Sequence, residues 1–257
     1  MNITLRTCHA IFPYAIFFFS GFAQTIAPNK TPYLRQASIT ETTEAVHITA
    51  NSPRPLLQAL DALRHKYGWV VSYEDPAYTS SLDVVEGRDG PSHLLLPAGG
   101  SFNVEFPSRS LLEDQTLRLI VGAYNQSSNP SRFELRRSSE GDFYVVGTSA
   151  RNRTKTTSPQ HSLLDTPVTV ASRDRTIADT INLLCHELEG QNHVPVSVGI
   201  LPRALVAYTT VKIGASEVPA REILIRSLKA ARRSLYWCLF FDPASKGYVL
   251  NIHIAKS

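Results

Sequence analysis

The second half of the chain repeats the order of helix and strand patterns found in the first half, and this repeat limits the possible fold more than any other feature. Residues 175–254 carry the clearer copy, which reads as a compact module of βαββαββ type. Its predicted helices and strands follow each other closely, at 176–188, 194–198, 207–213, 219–233, 235–241 and 247–254. A strand at 167–171 precedes them.

The first half predicts the same order, beginning with a strand at 45–50 and an amphipathic helix. The apolar residues of that helix are spaced to lie on one face; they are Leu56, Leu57, Leu60, Leu63 and Tyr67. Gly68 ends the helix. Three further pairs of segments match between the halves: 69–73 with 194–198, 102–106 with 209–213, and 132–147 with 235–254. The shared order favours a duplication.

The main difference between the halves is residues 74–100, a segment interrupted by glycine and proline. It is longer than its counterpart at 199–207, and it contains two short runs, 84–85 and 94–96, that are candidates for strands. We therefore interpret 74–100 as an insertion in the first copy.

Length and composition fit two small domains. The chain has 257 residues, 43% hydrophobic and 19% charged, which is typical of a globular protein. We predict an α/β (α+β) fold with two tandem modules, at 44–147 and 163–257. Each is expected to be a mixed sheet covered on one face by two helices. The Ser/Thr-rich, basic stretch 148–162 is predicted to be a linker.

The N-terminus has the pattern of a secretory signal peptide at 1–23. Arg6 supplies a positive charge, an apolar run extends to Phe22, and 21–23 offers a small-x-small cleavage site. The alternative is an uncleaved N-terminal anchor. Residues 24–43 read as an exposed leader, and no later segment is long and apolar enough to span a membrane. The sequence therefore predicts a periplasmic or secreted protein.

Export makes the cysteines relevant, because disulfides form in oxidising compartments. Removal of Cys8 with the signal peptide leaves Cys185, late in a helix, and Cys238, in a later strand. Two interpretations stay open: a disulfide between them, or two buried free thiols that pack as small apolar side chains.

Several short sequence segments in the two copies carry a resemblance to a known protein family. These are residues 57–63 followed by 68–73 in the first copy, and 211–213 with 220–224 and 246–250 in the second. Together they resemble the secretin and TonB short N-terminal (STN) domain of the bacterial envelope. The resemblance implies non-catalytic protein–protein contacts in the periplasm, with an outer-membrane or secretion component as partner, and no catalytic residue. Similar envelope modules that bind peptidoglycan are a second possibility.

The sequence indicates no catalytic, metal or cofactor site. His186 and Glu187 begin an HExxH-like pattern, but Gly190 stands where the second histidine would be required. Nucleophile elbows, phosphate loops and dinucleotide fingerprints are missing from the sequence. The net charge is only +4 and the basic residues are scattered, so nucleic acid is not a predicted partner.

One cluster is a candidate binding site. Arg232 and Arg233 end the last predicted helix beside Tyr236 and Trp237, where they could hold an acidic partner or a glycan. The alternative is structural: cations favour the negative end of a helix dipole, and aromatic residues in such strands are usually core.

We therefore predict an envelope adaptor that makes protein–protein contacts in the periplasm. The alternative function is recognition of peptidoglycan, another glycan or a small ligand in a cleft between the modules. An adaptor should present an exposed strand edge or an apolar patch. A ligand-binding protein should contain a concave pocket with converging polar groups.

Overall fold

A computed structural model of the chain describes residues 37–51, 53–87, 94–108, 112–151 and 156–255. The predicted signal peptide at 1–23 and residues 24–36 of the predicted leader lie outside the described residues. The last part of the predicted leader includes a mostly exposed strand, Ser38–Glu41, which pairs with the next strand of the chain.

The described residues form five helices and fourteen strands. The helices are α1 (Pro55–Tyr67), α2 (Glu113–Gln126), α3 (Ile177–Asn192), α4 (Arg203–Val206) and α5 (Ala220–Lys229). The strands are β1 (Ser38–Glu41), β2 (Ala45–Ala50), β3 (Val71–Glu74), β4 (Val84–Gly87), β5 (Leu94–Pro97), β6 (Phe102–Pro107), β7 (Arg132–Arg137), β8 (Phe143–Arg151), β9 (Thr157–Pro159), β10 (Pro167–Thr176), β11 (Val196–Val198), β12 (Thr210–Pro219), β13 (Leu235–Asp242) and β14 (Gly247–Ile254). Of the described helices, none has both the length and the apolar composition needed to cross a membrane.

Local sequence explains where the main helices begin and end. Pro55 occupies the first turn of α1, where its missing N–H costs nothing, and Gly68 ends the helix in the left-handed conformation with φ 76°. At the start of α3, Thr176 and Asp179 form a capping box in which each side chain accepts a hydrogen bond from the other's backbone N–H.

A central sheet contains strands from both halves, in the order β11-β14-β13-β3-β8-β7, and β9 pairs with the end of β8. In the first half, β3 is parallel to β8 and β7 is antiparallel to β8. In the second half, β11 is parallel to β14 and β13 is antiparallel to β14. The repeated pattern is therefore visible in the topology. The two halves join through the parallel pair β13–β3 and share one sheet.

The helices of the two halves lie on opposite faces of this sheet. Side chains alternate along each strand, so Val71 and Tyr73 face one core with α1 and α2. Trp237, Leu239 and Val146 face the other core with α3 and α5. Each half thus covers one face with two helices, and the result is a three-layer arrangement. Helices with mixed sheets confirm the predicted α+β class.

Three smaller sheets complete the described fold: β1-β2-β6, β10-β12 and β4-β5. The β4-β5 hairpin forms from the two short runs of the 74–100 segment. In the predicted linker at 148–162, the first residues extend β8 to Arg151, and Thr157–Pro159 pairs with them as β9. Residues 152–155 lie outside the described residues.

Candidate functional site

A cavity of about 1070 Å³ lies at the carboxyl ends of β3 and β13. Its walls come from both halves of the chain: residues 77–86 after β3, residues 161–166, and the turn between β13 and β14. Because β3 and β13 are parallel neighbours, their carboxyl ends meet at one edge of the sheet. The helices that precede them, α1 and α5, pack on opposite faces of the sheet.

Aromatic and aliphatic side chains form much of the cavity wall. Tyr78, Phe241 and Tyr248 contribute rings, and Leu95 and Val194 contribute aliphatic surface. The rings of Phe241 and Tyr248 meet edge to face, with centroids 5.2 Å apart. Burial raises the pKa of the Tyr78 and Tyr248 hydroxyls well above the ordinary value, so both stay protonated, and the Tyr78 hydroxyl lies 3.5 Å from Ser131 Oγ.

Polar groups converge on the same space. The Thr166 hydroxyl lies 3.1 Å from the Asn192 amide nitrogen, and both residues line the cavity. His161 and Lys246 stand exposed at its edge, where they can contact a polar ligand. An apolar wall with a few polar groups is the usual chemistry of a small-molecule site.

A buried ion pair lies behind the cavity wall. Arg221 Nη2 donates to Glu74 Oε2 at 2.7 Å and to Ser162 Oγ at 2.5 Å, while Nη1 donates to Asp165. Arg221 and Glu74 are only 2% and 1% exposed. The guanidinium also lies over the Tyr144 ring, 4.5 Å from its centroid. Because Ser162 and Asp165 line the cavity, this network holds their side chains in place.

Burial raises the pKa of Glu74, and Arg221 opposes that shift because its positive charge stabilises the carboxylate. The Ser162 hydroxyl donates to both carboxylate oxygens at 2.7 Å and acts in the same direction. Arg221 and Ser162 therefore favour the ionised form of Glu74 against the effect of burial.

A second buried ion pair connects the carboxyl ends of β3 and β13. Arg54 Nη2 lies 2.7 Å from Asp75 Oδ2 and donates to the Phe241 carbonyl at 3.2 Å. The Phe241 N–H donates back to Asp75 Oδ2 at 3.1 Å, and Tyr73 donates to the other carboxylate oxygen at 2.9 Å. The residue after β3 is thereby tied to the end of β13, which fixes the floor of the cavity.

The four residues of the predicted basic site do not form one cluster. Trp237 is 1% exposed in one core, and Tyr236 is buried on the opposite face of the sheet, where its ring stacks on His253. Adjacent strand residues point to opposite faces, which explains the separation. Arg232 and Arg233 are exposed and line a second cleft of about 340 Å³ together with Trp237.

The two cysteines of the described residues are free thiols, and a disulfide between them is not formed. Cys185 packs with α3 and α5, whereas Cys238 points into the core that contains α1 and α2. The central sheet separates the two sulfurs, so the proposed bridge fails on geometry. Burial raises the pKa of the Cys185 thiol to about 12 and raises the pKa of the Cys238 thiol well above its ordinary value.

Within the described ranges, no group of three or more His, Cys, Asp or Glu side chains is arranged to hold a metal ion. His186 and Glu187 lie on α3, and His193 follows it in the left-handed conformation with φ 53°.

The cavity residues were not identified from the sequence, although the 74–100 segment that supplies one wall was noted as an insertion. The chain matches no family model, no curated protein and no solved structure. Its resemblance to the STN family therefore stays a prediction.

Proposed function

We propose that the chain is a binding protein that holds a short glycan in the cavity at the carboxyl ends of β3 and β13. The observation that carries this proposal is the cavity itself, which combines aromatic rings with converging polar groups where the two halves of the sheet meet. This was the alternative function that the sequence left open.

The size and lining of the cavity favour this ligand class. A volume of about 1070 Å³ lies at the upper end of the range for small-molecule sites, so an extended ligand of several sugar units suits it. Sugar rings present apolar C–H faces that would contact the small exposed part of the Phe241 and Tyr248 rings, which are 4% and 8% exposed and line the cavity. Their hydroxyl and acetamido groups would hydrogen-bond to Asn192, Thr166 and His161 at the polar part of the wall.

At the two edges of the central sheet, the adaptor function has less geometric support. The edge strand β7 carries charged residues at four of its six positions, Arg132, Glu134, Arg136 and Arg137, which disfavours pairing with another strand. The opposite edge strand, β11, is three residues long. Protein–protein contact in the periplasm stays a prediction, and the N-terminal signal pattern is what supports an envelope location.

Calorimetric titration of the full chain with soluble peptidoglycan fragments and with chitotetraose tests the proposal. Thr79 is exposed on the cavity wall, so Thr79→Trp places a large ring in the cavity without disturbing a core. Thr210→Trp, on the exposed side of β12, is the matched control. We expect the first substitution to abolish glycan binding and the second to leave it unchanged.

Two results would count against the proposal. One is the absence of measurable binding to either glycan at millimolar concentration. The other is binding that survives Thr79→Trp with unaltered affinity, since the ligand would then lie elsewhere on the protein.

A further inference from the structure

A second cleft, separate from the cavity, lies at the opposite ends of the same two strands. It has a volume of about 340 Å³ and is lined by Val70 and Ser72 at the start of β3 and by Leu235 and Trp237 at the start of β13. The strands pair directly only through Cys238 with Tyr73 and Leu239 with Glu74. On the amino-terminal side of these pairs, the Trp237 N–H donates to the Ser72 hydroxyl at 3.3 Å. Beside the cleft, a hydrogen bond to a side chain therefore takes the place of the backbone hydrogen bonds between the strands.

The cleft carries an excess of positive charge. Lys229, Arg232 and Arg233 line it, against a single carboxylate, Asp142. Lys229 is already paired, because its Nζ lies 3.1 Å from Asp142 and 3.6 Å from Glu140. No ion pair of Arg232 or Arg233 is found with any described residue, and both side chains are exposed.

The end of α5 compensates only part of this charge. A helix C-terminus is equivalent to about half a negative charge, and its effect falls off within the last turn. Arg232 and Arg233 lie beyond Lys229, the last residue of α5, so two full positive charges remain for an external partner. Arginine suits this role because its planar guanidinium binds a carboxylate through two parallel hydrogen bonds.

The other residues that line the cleft favour an extended anionic ligand over a compact one. Val70, Leu228 and Leu235 offer apolar surface that a compact anion such as phosphate would not use. A polypeptide can place separate carboxylates on the two arginines and an apolar side chain between them. The volume lies at the low end for ligand sites, which suits a few residues of such a segment.

We infer that the cleft formed by the end of α5 and the amino ends of β3 and β13 docks an acidic polypeptide segment. Arg232 and Arg233 bind its carboxylates, and Val70 and Leu235 contact an apolar side chain between them. This site is independent of the glycan cavity, and either can fail without the other.

Fluorescence anisotropy of the full chain with a fluorescein-labelled Gly-Glu-Glu-Leu-Glu-Glu-Gly peptide tests the inference at low salt. The variant is the double substitution Arg232→Gln and Arg233→Gln. The control is the double substitution Arg173→Gln and Arg203→Gln, which removes the same charge from exposed positions outside the cleft. We expect the first variant to raise Kd by about tenfold or more and the control to change it by less than about twofold. A peptide with glutamine in place of glutamate should not bind.

Circular dichroism of each variant establishes that it is folded before affinities are compared. Equal affinity of the wild type and the Arg232/Arg233 variant would overturn the inference, as would absence of binding by the wild type. Displacement of the peptide by millimolar inorganic phosphate would also overturn it, because the site would then be a small-anion site. If a single-stranded oligonucleotide bound more tightly than the peptide, the inference would also be overturned, because the cleft would then be a nucleic-acid site.

Discussion

Replacing Arg221 with methionine should destabilise the protein by about 3–5 kcal/mol, the usual cost of removing one partner of a buried ion pair. Methionine keeps the aliphatic volume of arginine but removes the hydrogen bonds to Glu74, Ser162 and Asp165. Glu74 would remain 1% exposed, with Ser162 as its one remaining hydrogen-bond donor in this network. For a domain of this size, the loss corresponds to a fall in Tm of about 10 °C.

The loss should also depend on pH, and Glu74 sets the direction. Its pKa in the folded protein is raised by burial, and removal of Arg221 raises it further. A raised folded-state pKa means that the native state binds the proton more tightly, so stability is retained below the unfolded pKa and is lost as pH rises through the folded pKa. Arg221→Met should therefore cost less at pH 5 than at pH 8, because a lower pH favours the neutral form of Glu74, which does not need the lost positive charge.

Urea unfolding followed by circular dichroism at both pH values measures these differences. Arg226→Met is the control, because Arg226 is exposed on the same helix, and it should change stability by less than about 0.5 kcal/mol. Adding Glu74→Gln to Arg221→Met removes the unpaired charge and should restore part of the loss at pH 8. A cost below about 1 kcal/mol for Arg221→Met, or an equal cost at both pH values, would refute the reasoning.

Two further predictions follow from burial and from close packing. Cys185 and Cys238 should resist iodoacetamide in the folded protein and react once it is unfolded, and a linked peptide in a non-reduced digest would contradict the assignment as free thiols. Gly147→Ala should destabilise by about 2 kcal/mol, because the added Cβ would overlap Pro76. Gly122→Ala, whose Cβ meets nothing within 4 Å on α2, should instead stabilise by a few tenths of a kcal/mol to about 1 kcal/mol, and urea unfolding distinguishes the two.

Local patterns were sufficient to predict most of the regular structure. The apolar stripe from Leu56 to Leu63 identified α1, and Gly68 ended it as expected. The two short runs in the 74–100 segment form the β4-β5 hairpin. The physical reason is that helix stripes, strand alternation and turn glycines depend on neighbouring residues alone.

Boundaries that depend on distant contacts were predicted less well. The strand expected at 207–213 is β12, which extends to Pro219 because it pairs along the length of β10. The short helix α4 precedes it and was missed, since four residues give no periodic signal. The second helix was expected to reach residue 233 but ends at Lys229.

The shared sheet was missed for a similar reason, although the sequence contained a signal for it. Residues 235–241 are apolar at almost every position, and a strand that is buried on both faces has this composition. In two separate modules, each sheet would be covered on one face only, and apolar and polar residues would alternate along its strands. The continuous apolar run in β13 therefore indicated a central strand of a three-layer fold, with β3 as its neighbour.

The two buried ion pairs link this topology to the candidate site. Arg221 belongs to the second half and binds Glu74 of the first, and Arg54 of the first half binds the Phe241 carbonyl of the second. Removing such charges from water is costly, so apolar residues of similar volume would stabilise the junction as well or better. Their directional hydrogen bonds instead fix how β3 lies beside β13, a register that only two residue pairs define. Because the cavity is enclosed by residues of both halves at that junction, neither half alone contains the site.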